Sequence, residues 1–325
     1  MTTFGDQVYM LGGVPVGPVG SVLAGIGMWG DQYFVNFTTG HDDNDGDKPT
    51  FAFKTLGAAY DAATTNKNDI IWVAGEGAVE EDAMITWSKN KVHVVGCGGF
   101  GATDQSPRII FSATGITSVS AANLKVTGWA NTFTNIRVNS WGTDDTNVCA
   151  LWDAGEATVY TNCQFNKFTD LDQTTVADVE ARGDSTTWRN VKFGADTLLQ
   201  TVARPTLRIK GTGGNARMKN NYFEDCYFVC QSSDADKAFI LVHDTNSLAF
   251  SNVWVRPIFL AAVITSTSAI TLDNAVDSVS GLVEGNLLFV NPSCNTTALC
   301  ATVTDKVQVV GPLTHVNAGA PQTPA

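Results

Sequence analysis

The chain has 325 residues and a mass of 34.6 kDa, with 16% charged residues and 30 glycines. It is too long for a minimal domain and too sparsely charged for a coiled coil or a disordered acidic tail. Its 38 Thr and 23 Asn favour strands and tight bends over helices, which excludes a helical bundle and leaves a long all-β molecule. Twenty basic against 32 acidic residues give a net charge of −12, and Lys and Arg never cluster. A nucleic-acid partner needs a basic stripe, so none is expected.

Residues 7–30 carry no charge and are long enough to span a bilayer, but they hold Gly12, Gly13, Pro15, Gly17, Pro18, Gly20, Gly25, Gly27 and Gly30. That much Gly and Pro makes a poor helix. The segment reads as an extended apolar arm that another surface must cover. The start lacks the basic region of a signal peptide. No membrane is expected.

A strand follows at Tyr33–Asn36, then a polar loop to Pro49. Its Asp43-Asn44-Asp45-Gly46 imitates part of a calcium loop, but His41 takes the first ligand position and Ala52 the bidentate one, so the pattern fails. Residues 54–63 predict the one helix: Thr55 is a suitable N-cap, and Leu56, Ala59, Tyr60 and Ala63 share a face. Strands are predicted at 68–74 and 91–96. In the second, His93 faces away from Val92 and Val94 and is expected to be an exposed strand residue. The seven cysteines show no CxxC or CxxH and read as small buried hydrophobes of a chain folded in a reducing cytoplasm. Cys294 and Cys300 are the one pair spaced to close a short loop.

The strongest pattern is a repeat. Phe133-Thr-Asn135-Ile136-Arg-Val138 reads aromatic, any, Asn, apolar, any, apolar. It returns from Tyr160, Trp188, Phe223 (with Asp225 for Asn) and Phe250, and more weakly from Leu272. The steps are 27, 28, 35, 27 and 22 residues. The alternation describes a strand with one buried face, and the Asn or Asp suits a bend in left-handed backbone. One such hexamer cannot bury its own face, whereas stacked copies form continuous columns. A period of 22 to 28 predicts one three-strand coil of a parallel β-helix, with about seven coils and an insertion near Gly211–Asn215.

The segment from Gly40 to Pro49, with Phe53-Lys-Thr-Leu56, Ala58–Ala63 and Asp69–Val73, resembles the opening coil of pectin-lyase-like right-handed β-helices, in which the helix plugs the N-terminal end. Phe4-Gly-Asp-Gln-Val-Tyr-Met-Leu-Gly-Gly-Val-Pro-Val-Gly17 resembles the start of a group of tailed-phage and prophage proteins. Ile85–Asn90, Val94-Val-Gly96 and the Phe-x-Asp-Cys-x-Phe repeat are similar to that group too. The resemblance covers most of residues 1 to about 260. It implies a capsid decoration, or cement, protein that sits as a homotrimer on the major capsid protein, at the capsid exterior of a virion assembled in the host cytoplasm.

Catalytic motifs are missing: there is no GxSxG, HExxH or GxxxxGK. The acids Asp144, Asp145, Asp170, Asp172, Asp178, Glu180, Asp234 and Asp236 fall between repeat strands without recurring at matching positions. Glu76, Glu80, Glu81 and Asp82 read as a surface cluster, and His243 beside Asp244 alternates away from it. Among Trp72, Trp87, Trp129, Trp141, Trp152, Trp188 and Trp254, core packing is expected for most, with Trp141 and Trp152 the best candidates for a surface role. The chain is therefore expected to be no enzyme, with no catalytic, cofactor or metal site. The domains are an arm at 1–30, a β-helix at 31–275 and C-terminal strands with a tail at 276–325. The capsid-binding residues of the arm are Tyr9, Met10, Leu11, Val14, Val16, Val19, Val22, Leu23, Ile26, Met28 and Trp29. The alternative is a tailspike-like polysaccharide depolymerase or a non-catalytic glycan-binding virion protein.

Overall fold

The computed structural model describes residues 30–74, 78–98, 107–111, 121–140, 147–167, 177–195, 199–200, 204–210, 218–232, 239–242, 252–261, 268–272, 287–290, 292–294, 298–300, 307–311 and 314–315. Before them it describes a two-strand ladder, β1 (Met10–Leu11) against antiparallel β2 (Val14–Pro15). The solenoid opens with β3 (Gln32–Val35) and helix α1 (Leu56–Ala62). The first coil is β4 (Asp69–Ala74), β5 (Ala78–Glu81) and β6 (Ile85–Trp87). The second is β7 (Val92–Cys97), β8 (Arg108–Phe111) and β9 (Ala121–Val126). The third is β10 (Thr132–Thr134), β11 (Arg137–Ser140) and β12 (Asn147–Asp153). The fourth is β13 (Val159–Thr161), β14 (Gln164–Lys167) and β15 (Val179–Ala181).

In the fifth, β16 (Thr187–Arg189) and β17 (Lys192–Phe193) are followed by a side strand, β18 (Leu199–Gln200), before β19 (Leu207–Ile209). The sixth is β20 (Tyr222–Glu224), β21 (Tyr227–Ser232) and β22 (Ile240–Val242). The seventh is β23 (Asn252–Val255), β24 (Ile258–Ala261) and β25 (Ser268–Leu272). The eighth is β26 (Leu287–Val290), β27 (Ser293–Cys294) and β28 (Ala298–Cys300), and a ninth begins with β29 (Val307–Val310) and β30 (Thr314–His315). First, second and third strands of successive coils pair in parallel to make three sheets. This is the parallel β-helix expected from the repeat, with the right-handed course that the resemblance of the opening coil implies.

Among the described residues, the third to sixth coils each turn twice on a residue in left-handed backbone. Between the first and second sheets it is Asn135 (φ 55°), Asn162 (φ 53°), Asn190 (φ 50°), Asp225 (φ 52°) and Arg256 (φ 51°). Asn tolerates that region because its short amide bonds locally. Here the amides also link coils: Asn190 Nδ2 donates to Asn162 Oδ1 at 2.8 Å, and Asn135 Nδ2 to Gly96 O at 2.9 Å. The corner between the third and first sheets uses Lys91, Ala130, Ala157, Ser185 and Asn220 instead. The backbone N–H groups of Lys91, Ala130, Ala157 and Ser185 reach the next coil, as in Ala157 N to Asp184 O at 2.8 Å.

The apolar positions of the repeat fill the interior. A ring column runs Tyr60, Trp87, Phe133, Tyr160, Trp188, Phe223, Trp254, with centroids 4.2 to 5.6 Å apart. The strand spacing of about 4.8 Å sets that distance. Under the second sheet Phe193, Phe228 and Phe259 stack at 4.7 and 4.8 Å. Leu124, Leu151, Val179, Leu207 and Ile240 line the third, all buried. The predicted helix face is the buried one, and Thr55 Oγ1 accepts from Ala58 N at 3.1 Å as the N-cap.

The register corrects the last two repeat copies. Trp254 pairs with Phe223 and Phe289 with Trp254, so the fifth and sixth copies begin at Trp254 and Phe289, after steps of 31 and 35 residues. The described residues make eight full coils rather than about seven. Asn252 belongs to another ladder, where Asn221 N donates to Asn252 Oδ1 at 3.2 Å. His93 does face outward but is buried, with Nδ1 2.9 Å from Thr132 Oγ1 and Nε2 3.4 Å from Asn68 Oδ1. Burial pushes its pKa down to about 4.

Candidate functional site

Just before the third-to-first corner, Gly128, Gly155 and Gly183 stack on consecutive coils. A Cβ on Gly155 would lie 2.7 Å from Gly128 O, and one on Gly183 2.8 Å from Gly155 O, so the coils approach there only through glycine. The next residue of each coil is Trp129, Glu156, Asp184 and, one coil further, Lys219, joined in register by parallel bridges. This row faces solvent. Trp129 is 42% exposed, with Lys91 Nζ 4.8 Å from its ring centroid. Asp184 accepts from Ser185 Oγ at 2.9 Å and pairs with Lys219 Nζ at 2.7 Å. Asp184 and, more weakly, Glu156 raise the Lys219 pKa.

Beside it, on the outer face of the third sheet, Lys125, Trp152, Glu180 and Arg208 occupy one register position on four coils. Lys125 Nζ lies 4.2 Å and the Arg182 guanidinium carbon 4.4 Å from the Trp152 ring centroid, within cation–π range. Glu180, almost fully buried, bonds Arg182 and lies 3.4 Å from Arg208 Nη2. The strip thus offers aromatic, acidic and basic groups once per coil.

Two acids that were not singled out from the sequence, Glu156 and Asp184, do occupy matching positions on successive coils. Those two were missed although the signal was present: the steps from 129 to 156, 184 and 219 are 27, 28 and 35, those of the repeat itself. Of the acids that were singled out, Asp178 and Glu180 are brought to different partners. Asp178 is fully buried and accepts from Lys167 N at 2.7 Å, with Arg204 Nη2 at 3.3 Å. Glu81 is not a surface acid: Leu56 N donates to its Oε1 at 2.6 Å, tethering the plug helix. Burial pushes its pKa up to about 7 against those backbone bonds. Trp152 does face outward, as expected, whereas Trp87, Trp188 and Trp254 are core.

Trp141, Asp144, Asp145, Asp170, Asp172, Asp234, Asp236, His243, Asp244 and Glu76 lie outside the described residues. So does most of the arm: Tyr9, Val16, Val19, Val22, Leu23, Ile26, Met28 and Trp29. Met10 and Leu11 pair with Pro15 and Val14.

No known family profile matches the sequence, and no curated protein does. Solved structures do. The pectate lyase Pel9A superposes with TM-score 0.52 at 13% identity over 89% of this chain and 78% of that one. The pectin methylesterase of Aspergillus niger does so with TM-score 0.51 at 15% identity, over 89% and 86%. The ORF18 protein of Geobacillus virus E2 aligns at TM-score 0.35 and 12% identity over 86% and 60%, too loosely to carry weight. At these identities the shared property is the fold. The expectation that the chain is no enzyme is nonetheless corrected: the scaffolds it shares are those of enzymes, and missing sequence motifs do not exclude catalysis on them.

Proposed function

We propose that the chain is a tailspike-like virion protein that engages host surface polysaccharide along the flank of its solenoid. The observation that carries this is the outward row Trp129, Glu156, Asp184, Lys219, which presents one side chain per coil along the solenoid and so suits a linear polymer better than a compact ligand. An exposed indole packs against the apolar face of a sugar ring. Two carboxylates flanking a glycosidic bond are the groups hydrolysis needs: one protonates the leaving oxygen, the other takes a proton from water. Asp184, paired with Lys219, takes the base's place and Glu156 the acid's. The resemblance of residues 4–17 to phage proteins supports the virion setting.

The test is release of reducing ends from capsule or lipopolysaccharide. The wild type should release oligosaccharides, and Glu156→Gln or Asp184→Asn should slow release by about 100-fold or more. Neither release nor binding by the wild type would sink the reading.

A second reading keeps the solenoid but gives it a capsid-decoration role, as a homotrimer held on the major capsid protein by residues 1–30. The uncharged run 7–30 and the ladder of Met10–Leu11 on Val14–Pro15 favour it, since such a segment pairs by backbone and buries apolar side chains on a partner. Co-sedimentation with emptied capsids, full-length beside a deletion of residues 1–25, decides it. Binding by the full-length chain alone supports decoration, and binding by neither removes it.

A further inference from the structure

One inward column of the third sheet holds an acid among apolar side chains. Trp87, Val126, Asp153, Ala181, Ile209 and Val242 occupy one register position on six successive coils, and all are buried. The other five are apolar, so the fold does not require a carboxyl at that position. Burying one is costly even when it is bonded. An acid that the packing does not need asks for another reason.

Its bonds supply one, because they join two corners. Gly155 N, just before Glu156, donates to Asp153 Oδ1 at 3.3 Å. Thr186 Oγ1, two residues beyond Asp184, donates to Asp153 Oδ2 at 3.2 Å. Gly183, just before Asp184, lies so close that a Cβ there would sit 2.5 Å from the same Oδ2. Tyr160 Oη donates to Oδ1 at 3.1 Å and ties the carboxyl to the ring column. Between these contacts the two coils bridge through main chain: Asp184 N donates to Gly155 O at 3.1 Å, and Asp184 O accepts from Ala157 N at 2.8 Å. One buried carboxyl therefore holds the chain beside Glu156 and on both sides of Asp184.

We propose that Asp153 is a positioning residue for this site, clamping two successive corners so that the Glu156 and Asp184 carboxyls keep a fixed spacing along the bound polymer. It acts through Gly155, Gly183 and Thr186 and touches no substrate. An apolar residue fills the same space but leaves the two corners joined by main chain alone. Catalysis is sensitive to such a loss, since a misplacement of about 1 Å can lower a rate about 100-fold. The role rests on the polysaccharide reading, whereas the clamp itself is measurable without it.

The test uses the full chain carrying Asp153→Val together with Tyr160→Phe. Each change installs the residue found one coil earlier, Val126 and Phe133, and removing both partners of a buried bond leaves neither orphaned. Amide hydrogen exchange by NMR should quicken about tenfold or more at Asp184 and Ala157. The amides of Asn162 and Asn190, which link coils at the first-to-second corner, should hold their wild-type rates. On host polysaccharide kcat should fall about tenfold or more with KM little changed. Asp153→Asn still accepts from Gly155 N and can donate to Thr186 Oγ1, so it should restore the slow exchange and most of kcat. Thr186→Val, which cuts only the link to the Asp184 corner, replaces the double variant if that does not fold.

Unchanged exchange at Asp184 and Ala157 overturns the clamp, whatever happens to cleavage. Exchange that quickens equally at both corners marks Asp153 as a general support of the fold and overturns the positioning role. If exchange quickens at the one corner but kcat holds, that role falls and the polysaccharide reading stands. If the wild type neither binds nor cleaves host polysaccharide, the reading falls and takes the role with it.

Discussion

At the corner between the first and second sheets, the left-handed residue is Asn135, Asn162, Asn190 or Asp225; at the corner between the third and first it is Ala130, Ala157, Ser185 or Asn220. The backbone task is the same. The difference lies in what the side chain does. At the first corner Asn190 bonds Asn162, Asn135 bonds Gly96, and Arg256 clamps Asp225 through two bonds of 2.7 and 2.8 Å. There the residue type is constrained from coil to coil. At the second corner Ala130, Ala157 and Ser185 link to the next coil through their main-chain N–H groups, and the residue just before the turn varies: Trp129, Glu156, Asp184 or Lys219. A scaffold corner and a corner proposed to work on polysaccharide are thus built from one backbone conformation.

The largest way to break the contrast lies under the second corner. Asp153 is fully buried and accepts from Tyr160 Oη at 3.1 Å, Thr186 Oγ1 at 3.2 Å and Gly155 N at 3.3 Å. Burial nevertheless pushes its pKa up to about 7. The native state then holds a proton that the unfolded chain releases near 3.8, so stability falls as pH rises from about 4 to about 7. The upper bound is about 4 kcal/mol. Glu81 acts in the same direction between about 4.5 and 7. His93, lowered to about 4, opposes them between about 4 and 6.5, because there the unfolded chain binds the extra proton. Urea melts of the wild type should lose stability from pH 5 to 7.5, and Asp153→Asn should flatten the profile. A wild-type profile that rises over this range would overturn that account.

At the scaffold corner, Asn162→Val places a branched residue in left-handed backbone and removes the Asn190 bond. It should cost about 2–3 kcal/mol in the same melts. At the working corner, Ala157→Gly relieves the same backbone strain (φ 51°) with no side-chain bond to lose, and should stabilise by about 1 kcal/mol. A loss there would mean that the two corners are alike after all. Smallest of all, Glu156→Gln should move stability by no more than about 0.5 kcal/mol, whatever it does to polysaccharide cleavage.

The same contrast explains what the sequence revealed. The solenoid was legible because the Asn ladder and the ring column repeat as residue types. The fifth copy slipped because Arg256 and Pro257 replace Asp225 and Cys226 at the corner, while Asn252, from the neighbouring ladder, imitates the motif four positions early. Glu156 and Asp184 stayed hidden because a row whose members are Trp, Glu, Asp and Lys has no consensus; only its spacing repeats.

The ring column from Tyr60 to Trp254 also sets how far a disturbance travels. Each ring meets its column neighbours above and below, and its sideways partners Phe165 and Phe193 lie on the same or the adjacent coil, so cooperativity is handed on neighbour by neighbour, as along a stack of coins. Removing one ring in the middle, Trp188, divides the molecule into two half-solenoids that can melt at different temperatures. Removing one near an end only shortens it.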